Sequence, residues 1–139
     1  MKSDYKMECV DGMYLCVIPI APTLNSKFVS STYQVSPEFQ RFKDSIESLW
    51  SKYYRSIKPI LKLMKGKKFI DKNVKMRIEI HEADNRRDID ATEKVIQDSL
   101  QGKFYENDSQ IWDKHTKQFL KKEDPFVVVS VWESKRYKE

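Results

Sequence analysis

The sequence is poor in the residues that interrupt or cross-link a chain. Of its 139 residues, only 3 are glycine, 5 are proline and 2 are cysteine. So few glycines and prolines exclude a collagen-like or low-complexity chain. The two cysteines, Cys9 and Cys16, make no disulfide framework, and they lack the second Cys or His pair that a zinc site needs. We therefore expect reduced thiols, as in a cytosolic protein.

Long hydrophobic runs are also missing. The longest, from Met13 to Pro22, has about ten residues, which is half of the ~20 that span a bilayer. Acidic residues at Asp4, Glu8 and Asp11 interrupt any signal-peptide pattern. We expect no membrane association and a cytoplasmic location. What the chain does have is 40% hydrophobic and 12% aromatic residues, which suffices for one folded domain rather than a disordered chain.

The net charge of +5 is distributed very unevenly. Between Lys52 and Met76 there are nine basic residues and one acid, whereas between Glu79 and Asp113 there are ten acids and four bases. The basic stretch is typical of a surface that binds a polyanion, although solvated charge runs are common. The acidic stretch would repel phosphate unless its carboxylates gather around a cation.

Hydrophobic periodicity predicts a small α/β domain in which two main helices pack on one mixed β-sheet, in the order β-α-β-α-β-β. The first helix should begin at Ser36 and end before Pro59, and the second should follow a cap at Asp88 and stop near Gly102. The predicted strands are 14–20, 74–81, 110–119 and 126–133, the last of them central in the sheet. We expect a flexible N-terminus at 1–12, a domain at 13–133 and a charged tail at 134–139.

The residues that carry chemistry lie between positions 86 and 113. Asp88 and Asp90 flank a strand-to-helix junction, and Lys94 lies one helical turn after Asp90 on the same face. Asp108 arrives from the loop after that helix. Carboxylates brought together repel each other, and a hard cation such as Mg²⁺ relieves the repulsion. The alternative is a solvated row of charges at a helix start, where the dipole favours acids.

The order and spacing of these residues resemble the RusA family of Holliday junction resolvases, small endodeoxyribonucleases of phages, prophages and bacteria. The family motif is Asp-x-Asp-Asn, a Lys one turn later, Asp-x-Leu, and an acidic doublet in an aromatic loop before a strand. The matching residues are Asp88-Ile89-Asp90, Lys94, Asp98-Ser99-Leu100 and Phe104-Tyr105-Glu106-Asn107-Asp108. The resemblance covers roughly residues 14 to 133. Two positions depart from it: Ala91 replaces the motif Asn, and Asn107-Asp108 replaces the acidic doublet.

The resemblance implies a metal-dependent nuclease. Asp88, Asp90 and Asp108 would be the ligands of Mg²⁺, for which Mn²⁺ would substitute, and Lys94 would be the catalytic lysine. It implies no organic cofactor. The expected activity is resolution of Holliday junctions by paired phosphodiester cleavage during DNA recombination and repair, in a bacterial or phage-infected cell.

The resemblance also implies branched DNA as the partner and a homodimer as the active form. Arg86 and Arg87 would contact backbone phosphates. The basic stretch would extend this DNA surface through Lys62, Lys65, Lys67 and Lys68. A four-way junction has approximate two-fold symmetry and needs two opposed nicks, so two copies of a single-site domain suit it.

Three other functions fit the same residues. The first is a nuclease that cuts branched DNA or flaps more broadly, which is favoured by Ala91 in place of the Asn of the RusA motif. A catalytically silent junction-binding protein would keep the fold without turnover, and an interaction protein with an acidic patch would have no DNA role. Among the aromatic residues, we expect Phe104 and Tyr105 to pack under the loop rather than stack on bases, and Trp112 and Trp132 to lie in the strand core or an interface.

Overall fold

The computed structural model of the chain describes residues 4–10, 13–21, 37–64, 73–82, 89–120 and 123–133, with the backbone alone at 57–64 and 91. The elements are β1 (Lys6–Val10), β2 (Met13–Pro19), α1 (Pro37–Met64), β3 (Val74–Glu82), α2 (Ile89–Leu100), a 3₁₀ turn (Asp108–Gln110), β4 (Ile111–Leu120) and β5 (Phe126–Glu133). They form the predicted single α/β domain. The predicted charged tail at 134–139 lies outside the described residues.

The five strands form one mixed sheet in the order β1-β2-β5-β3-β4. β3 and β4 are parallel, and the other neighbouring pairs are antiparallel. The central position predicted for the strand at 126–133 is confirmed, because β5 pairs with β2 on one side and with β3 on the other. Alternate residues of β5 are buried and most of the others are half-buried, so both faces of the strand are largely covered, which explains its nearly continuous apolar sequence.

One strand was not predicted. Residues 6–10 fall in the segment expected to be a flexible N-terminus, but they form β1, which pairs antiparallel with β2. Of this strand only Met7 is buried in the core, at 8% exposure, while its other side chains are polar or more exposed. Such an edge strand has too few apolar residues to produce a visible alternation, and its pairing with β2 places it in the sheet.

The first helix is longer than its sequence suggested. Its predicted apolar face is confirmed, since Phe39, Phe42 and Ile46 are all buried. The predicted end before Pro59 is wrong, because α1 continues to Met64. A proline in a helix removes one N–H donor and clashes with one carbonyl, which favours a bend or an end but does not require an end.

A single core lies between the helices and one face of the sheet. Alternate residues of β3, from Val74 to Ile80, are fully buried, as are Val127, Val129 and Val131 of β5. Val95, Ile96 and Leu100 of α2 enter the same cluster as the apolar face of α1. Cys9 and Cys16 are both free thiols, the first exposed and the second buried. Among the described helices, none is long and apolar enough to cross a bilayer.

Candidate active site

Helix α2 and the turn that follows it bring three charged side chains together. Lys94 and Asp98 lie one turn apart on α2, and the Lys94 Nζ atom is 3.2 Å from Oδ1 of Asp98. The same Nζ atom is 3.6 Å from Oδ2 of Asp108, which opens the 3₁₀ turn before β4. The lysine is therefore held between two carboxylates from two different elements.

The chain reverses sharply after α2, and this reversal carries Asp108 back towards the helix. Gly102 has a positive φ of 84°, a conformation that glycine adopts without steric cost. Its N–H donates to the carbonyl of Tyr105 at 2.9 Å, and the N–H of Lys103 donates to the carbonyl of Leu100 at 3.0 Å. The predicted role of Gly102 as the helix stop is confirmed.

Two buried aromatic side chains anchor the reversed segment. Phe104 and Tyr105 are both fully buried, which confirms the prediction that they pack under the loop. The Tyr105 hydroxyl donates to the carbonyl of Gln97 at 2.8 Å, so the loop is fastened directly to α2. Phe104 stacks on Tyr14 of β2 with a centroid distance of 4.6 Å, which fastens it to the sheet.

A second anchor connects the same segment to the first helix. Lys103 is only 6% exposed, and its Nζ atom donates to Oε1 of Glu47 in α1 at 2.6 Å. The two side chains line a polar cavity of about 220 Å³ that also borders Asp98. The ion pair thus joins α1 to the loop after α2, beside Asp98. It was not predicted from the sequence.

The 3₁₀ turn at Asp108 is capped by its own side chains. Asn107 is the N-cap, and its side-chain oxygen accepts a hydrogen bond from the N–H of Ser109 at 3.0 Å. In return, Oε1 of Gln110 accepts from the N–H groups of Glu106 and Asn107 at 2.8 and 2.9 Å. Asn and Asp are equally good caps. Asn107, which replaces an acidic residue of the doublet in the RusA motif, therefore still stabilises the turn that contains Asp108.

Asp108 has a carboxylate that is only half satisfied. Its Oδ2 atom faces Lys94, whereas its Oδ1 atom is buried without a hydrogen-bond partner among the residues that the structure describes. Burial raises the pKa of Asp108, the positive charge of Lys94 opposes that shift, and the negative charge of Asp98 adds to it. A buried acceptor without a donor is costly. A hard cation that takes oxygen ligands fits this vacant acceptor.

Lys94 is held in its charged form. A hydrogen bond to Asp98 raises its pKa, and the negative charges of Asp98 and Asp108 act in the same direction. The side chain is 54% exposed, so its ammonium group is accessible to a ligand from solvent. Asp98 thus acts as an anchor for Lys94. Its spacing of four residues from Lys94 was visible in the sequence, but its position beside Asp108 was not.

The other predicted site residues are only partly described. Asp90 is exposed in the first turn of α2, one turn before Lys94. Within the described ranges, no three Asp, Glu, His or Cys side chains are grouped closely enough to hold a metal ion. The predicted ligand Asp88 lies outside these ranges, as do Arg86, Arg87, Lys65, Lys67 and Lys68. Lys62 lies in α1, where the backbone alone is described.

The prediction for Trp112 is wrong as far as the core is concerned. Its side chain is 58% exposed at the start of β4. Trp132 is half-buried in β5, and the Lys75 Nζ atom lies 5.7 Å from the centre of its ring. An exposed tryptophan four residues after Asp108 is a feature that periodicity did not reveal.

Residues 18–132 match the sequence model of a family described as endodeoxyribonuclease RusA. A comparison with curated proteins gave no match. The matched span contains α1, β3, α2, the Asp108 turn, β4 and all of β5 except Glu133, and RusA-family nucleases are generally metal-dependent. The chain therefore belongs to the RusA family and is an endodeoxyribonuclease of the Holliday junction resolvase type.

Proposed function

We propose that the protein is a Mg²⁺-dependent, structure-selective endonuclease that resolves Holliday junctions by paired cleavage in recombination and repair. The observation that carries the proposal is the position of Lys94 beside Asp108, whose buried Oδ1 atom has no hydrogen-bond partner in the described ranges. An ammonium group and a vacant carboxylate oxygen are the two features that a phosphodiester-cleaving site needs from its protein: a positive charge for the phosphate and an oxygen ligand for a cation.

Asp88, Asp90 and Asp108 would hold the cation. Asp108 contributes the vacant oxygen, and Asp90 presents an exposed carboxylate on the first turn of α2. When bound, Mg²⁺ polarises a phosphoryl oxygen and lowers the pKa of bound water, and Mn²⁺ supplies the same chemistry. The family membership supports metal dependence in general, and the oxygen-only donor set favours a hard divalent ion.

Lys94 would act on the phosphate itself. Its charge is secured by Asp98, and its ammonium group lies beside the carboxylate that would hold the cation. Placed there, it can offset the negative charge that develops on the phosphate during attack by water. Such cleavage breaks the bond from phosphorus to the 3′-oxygen and leaves 5′-phosphate and 3′-hydroxyl ends.

Branched DNA would be bound by the basic side chains around this site. We assign phosphate contacts to Arg86 and Arg87, which precede Asp88, and to the basic stretch. The residues of that stretch are Lys62, Lys65, Lys67 and Lys68. Each phosphate contact releases counterions, so binding should weaken steeply with salt. We assign a homodimer as the active form, because two opposed nicks require two copies of a single site.

A broader specificity is the second candidate. Ala91 occupies the position of the motif Asn in the first turn of α2. Alanine cannot make the hydrogen bonds of an amide, so any selectivity for the four-way junction that depends on them is reduced. This substitution favours cleavage of forks and flaps in addition to junctions.

The test is cleavage of synthetic substrates in Mg²⁺. We expect nicks in a four-way junction, placed symmetrically on opposed strands, and none in linear duplex. Asp108→Asn should abolish cleavage, whereas Asp113→Asn, which removes an exposed carboxylate on β4, should retain it. Equal cleavage by wild type and Asp108→Asn would contradict the site assignment.

The same substrates separate the rival functions. Comparable cleavage of junction, fork and flap would favour the broader nuclease. Tight, salt-sensitive junction binding without nicking in Mg²⁺ or Mn²⁺ would identify a catalytically silent binding protein. Absence of DNA binding would leave only the protein-interaction function. Sedimentation of the protein should give a dimer, and a monomer that cuts both strands would contradict the paired-site mechanism.

A further inference from the structure

We propose that Lys103 is a positioning residue for the cleavage reaction, because its ion pair with Glu47 holds the reversed segment that presents Asp108. The inference rests on the proposed function, since it gives Lys103 a part in the same reaction. It begins from a charge that the candidate active site does not use, a buried lysine outside the RusA motif.

The burial of Lys103 is unusual for a lysine. Lys94 and Lys114, which form ion pairs with carboxylates of α2, are both exposed. Moving a charge out of water costs free energy, and a single ion pair often fails to repay that cost, so a buried pair is weak evidence for stability. In this proposal the pair instead selects one arrangement of the two elements that it joins.

The partner of Lys103 belongs to the other helix. Its Nζ atom lies 2.6 Å from Oε1 of Glu47 in α1, although the two residues are 56 positions apart in the chain. The backbone hydrogen bonds of Gly102 and Lys103, and the hydroxyl of Tyr105, tie the reversal to itself and to α2. The ion pair adds a connection to α1, so the reversed segment is held from two sides.

The connection from Lys103 to the candidate site is short and well packed. Asp108 follows Lys103 by five residues. Phe104 and Tyr105 between them are fully buried, and the turn that begins at Asp108 is capped by Asn107. A displacement at Lys103 would therefore be transmitted to Asp108 rather than absorbed by the intervening chain.

Cleavage would depend on the position of the Asp108 carboxylate, because the cation and Lys94 both meet it. The Lys94 Nζ atom lies 3.6 Å from Oδ2 of Asp108. A misplacement of about 1 Å in a reacting arrangement can slow catalysis about 10²-fold. Without the ion pair, the reversed segment would be free to shift relative to α1 and carry Asp108 with it. Lys103 thus acts through Asp108 and contacts neither the DNA nor the cation.

The experiment compares junction cleavage in Mg²⁺ with thermal stability in Lys103→Met, which removes the charge and keeps an unbranched side chain. The Glu47 side chain is 58% exposed, so it stays solvated and the melting temperature should change little. The kcat should fall by about 10- to 100-fold. The KM should be unchanged, since the proposed phosphate contacts lie elsewhere. Lys103→Arg, which can keep the ion pair, should retain most of the kcat.

The matched control is Lys43→Met, because Lys43 is an exposed lysine of α1 that lines the same cavity as Lys103 and Glu47. It should keep the wild-type kcat. The double variant Glu47→Gln/Lys103→Met should have the kcat of Lys103→Met, since both changes remove one interaction. Should Lys103→Met fail to fold, Glu47→Gln tests the same pair from its exposed side and should also lower kcat.

Cation binding gives a readout that does not depend on activity. Because Asp108 is displaced in Lys103→Met, a higher concentration of Mn²⁺ should be needed to raise the melting temperature of this variant than that of wild type. Lys43→Met should respond to Mn²⁺ as wild type does. An unchanged Mn²⁺ dependence in Lys103→Met would show that Asp108 has not moved, and would overturn the inference.

Three kinetic outcomes also overturn it. The first is a wild-type kcat in Lys103→Met. The second is a raised KM at unchanged kcat, which would make Lys103 a DNA contact. The third is a loss of kcat that only follows a loss of stability and that Lys103→Arg does not rescue. In each case, a wild-type protein that nicks the junction and an inactive Asp108→Asn leave the proposed function intact. A wild-type protein that does not nick the junction would overturn the proposed function, and this inference with it.

Discussion

The Nζ atom of Lys94 lies 3.6 Å from Oδ2 of Asp108, although the two residues belong to different elements on either side of a sharp chain reversal. The contact joins the exposed face of α2 to the turn that opens β4. Within the described part of the chain, Oδ1 of the same carboxylate has no hydrogen-bond partner, so one oxygen of Asp108 is neutralised by the lysine and the other would be available to the proposed cation.

Replacing Lys94 should remove activity and leave stability intact. Lys94→Met eliminates the ammonium group, and loss of one preorganised charge-stabilising donor slows catalysis by about 10² to 10³. The side chain is 54% exposed, so its removal creates no cavity. Single-turnover cleavage of a four-way junction measures the rate, and thermal unfolding measures stability. Lys117→Met, an exposed lysine on β4, is the control. A Lys94→Met enzyme with the wild-type rate would show that the lysine is only a surface charge.

Asp108 should make the metal-free protein less stable at neutral pH. Burial raises its pKa above that of the unfolded chain. The folded state therefore binds the carboxyl proton more tightly than the unfolded state does. The stability that the protonated carboxyl group provides is complete below the pKa of the unfolded chain, and it is lost as the pH rises through the pKa of the folded protein. Asp108→Asn cannot ionise, so in EDTA it should melt above wild type at pH 7.

The advantage of Asp108→Asn should shrink as the pH falls through the raised pKa of Asp108, and it should be lost below the ordinary carboxyl pKa of about 3.9. Thermal melts from pH 7 down to pH 3 measure this difference. The control is Asp113→Asn, whose carboxyl group is exposed and pairs with Lys75. A melting temperature of Asp108→Asn below wild type at pH 7 would contradict an energetic penalty at this carboxylate.

Divalent cations should stabilise the wild-type protein through the same group. A ligand that binds only the folded state adds about 2.7 kcal/mol at a concentration of 100 times its Kd. Mg²⁺ and Mn²⁺ should therefore raise the melting temperature of wild type and of Asp113→Asn. They should have little effect on Asp108→Asn or Asp90→Asn. Equal stabilisation of all four proteins would locate the bound ion elsewhere.

Gly102 should be required for the reversal that presents Asp108. With φ at 84°, an alanine here is strained, although the added Cβ would meet no atom within 4 Å. We expect Gly102→Ala to lower the free energy of unfolding by about 1 to 2 kcal/mol, the cost of a left-handed conformation. Gly102→Asn should be milder, since Asn tolerates this region. Chemical denaturation compares the three proteins, and equal midpoints would mean that the turn readjusts.

The sequence was sufficient for those parts of the fold that repeat with a regular period. β3 alternates strictly between buried and more exposed residues, and α1 shows its apolar face at helical spacing. β1 was not predicted because Met7 is its one buried residue. The continuation of α1 past Pro59 was not predicted because no residue type in the sequence signals it. Where neighbours rather than the segment itself decide the conformation, single-sequence patterns carry little information.

The site was predictable as a set of residues but not as a set of contacts. Motif spacing selected Lys94 and Asp108, while their approach depends on a loop fastened by Tyr105 and Lys103 to two different helices. The exposure of Trp112 depends on the register between β3 and β4, which belongs to neither strand alone. Long-range packing and pairing determined these features, and residue spacing does not encode them.

The position of β5 has a consequence for how the enzyme is made. β2 and β3 are synthesised before β5, yet they do not pair with each other, because β5, from residues 126–133, lies between them in the sheet. Neither β3 nor the α2 segment behind it has a completed sheet to pack on until that strand emerges from the ribosome. Pairings between distant segments form slowly, so completion of the sheet is expected to be a late step of folding. The segments of the candidate active site therefore gain their packing surface only after residues 126–133 have been synthesised.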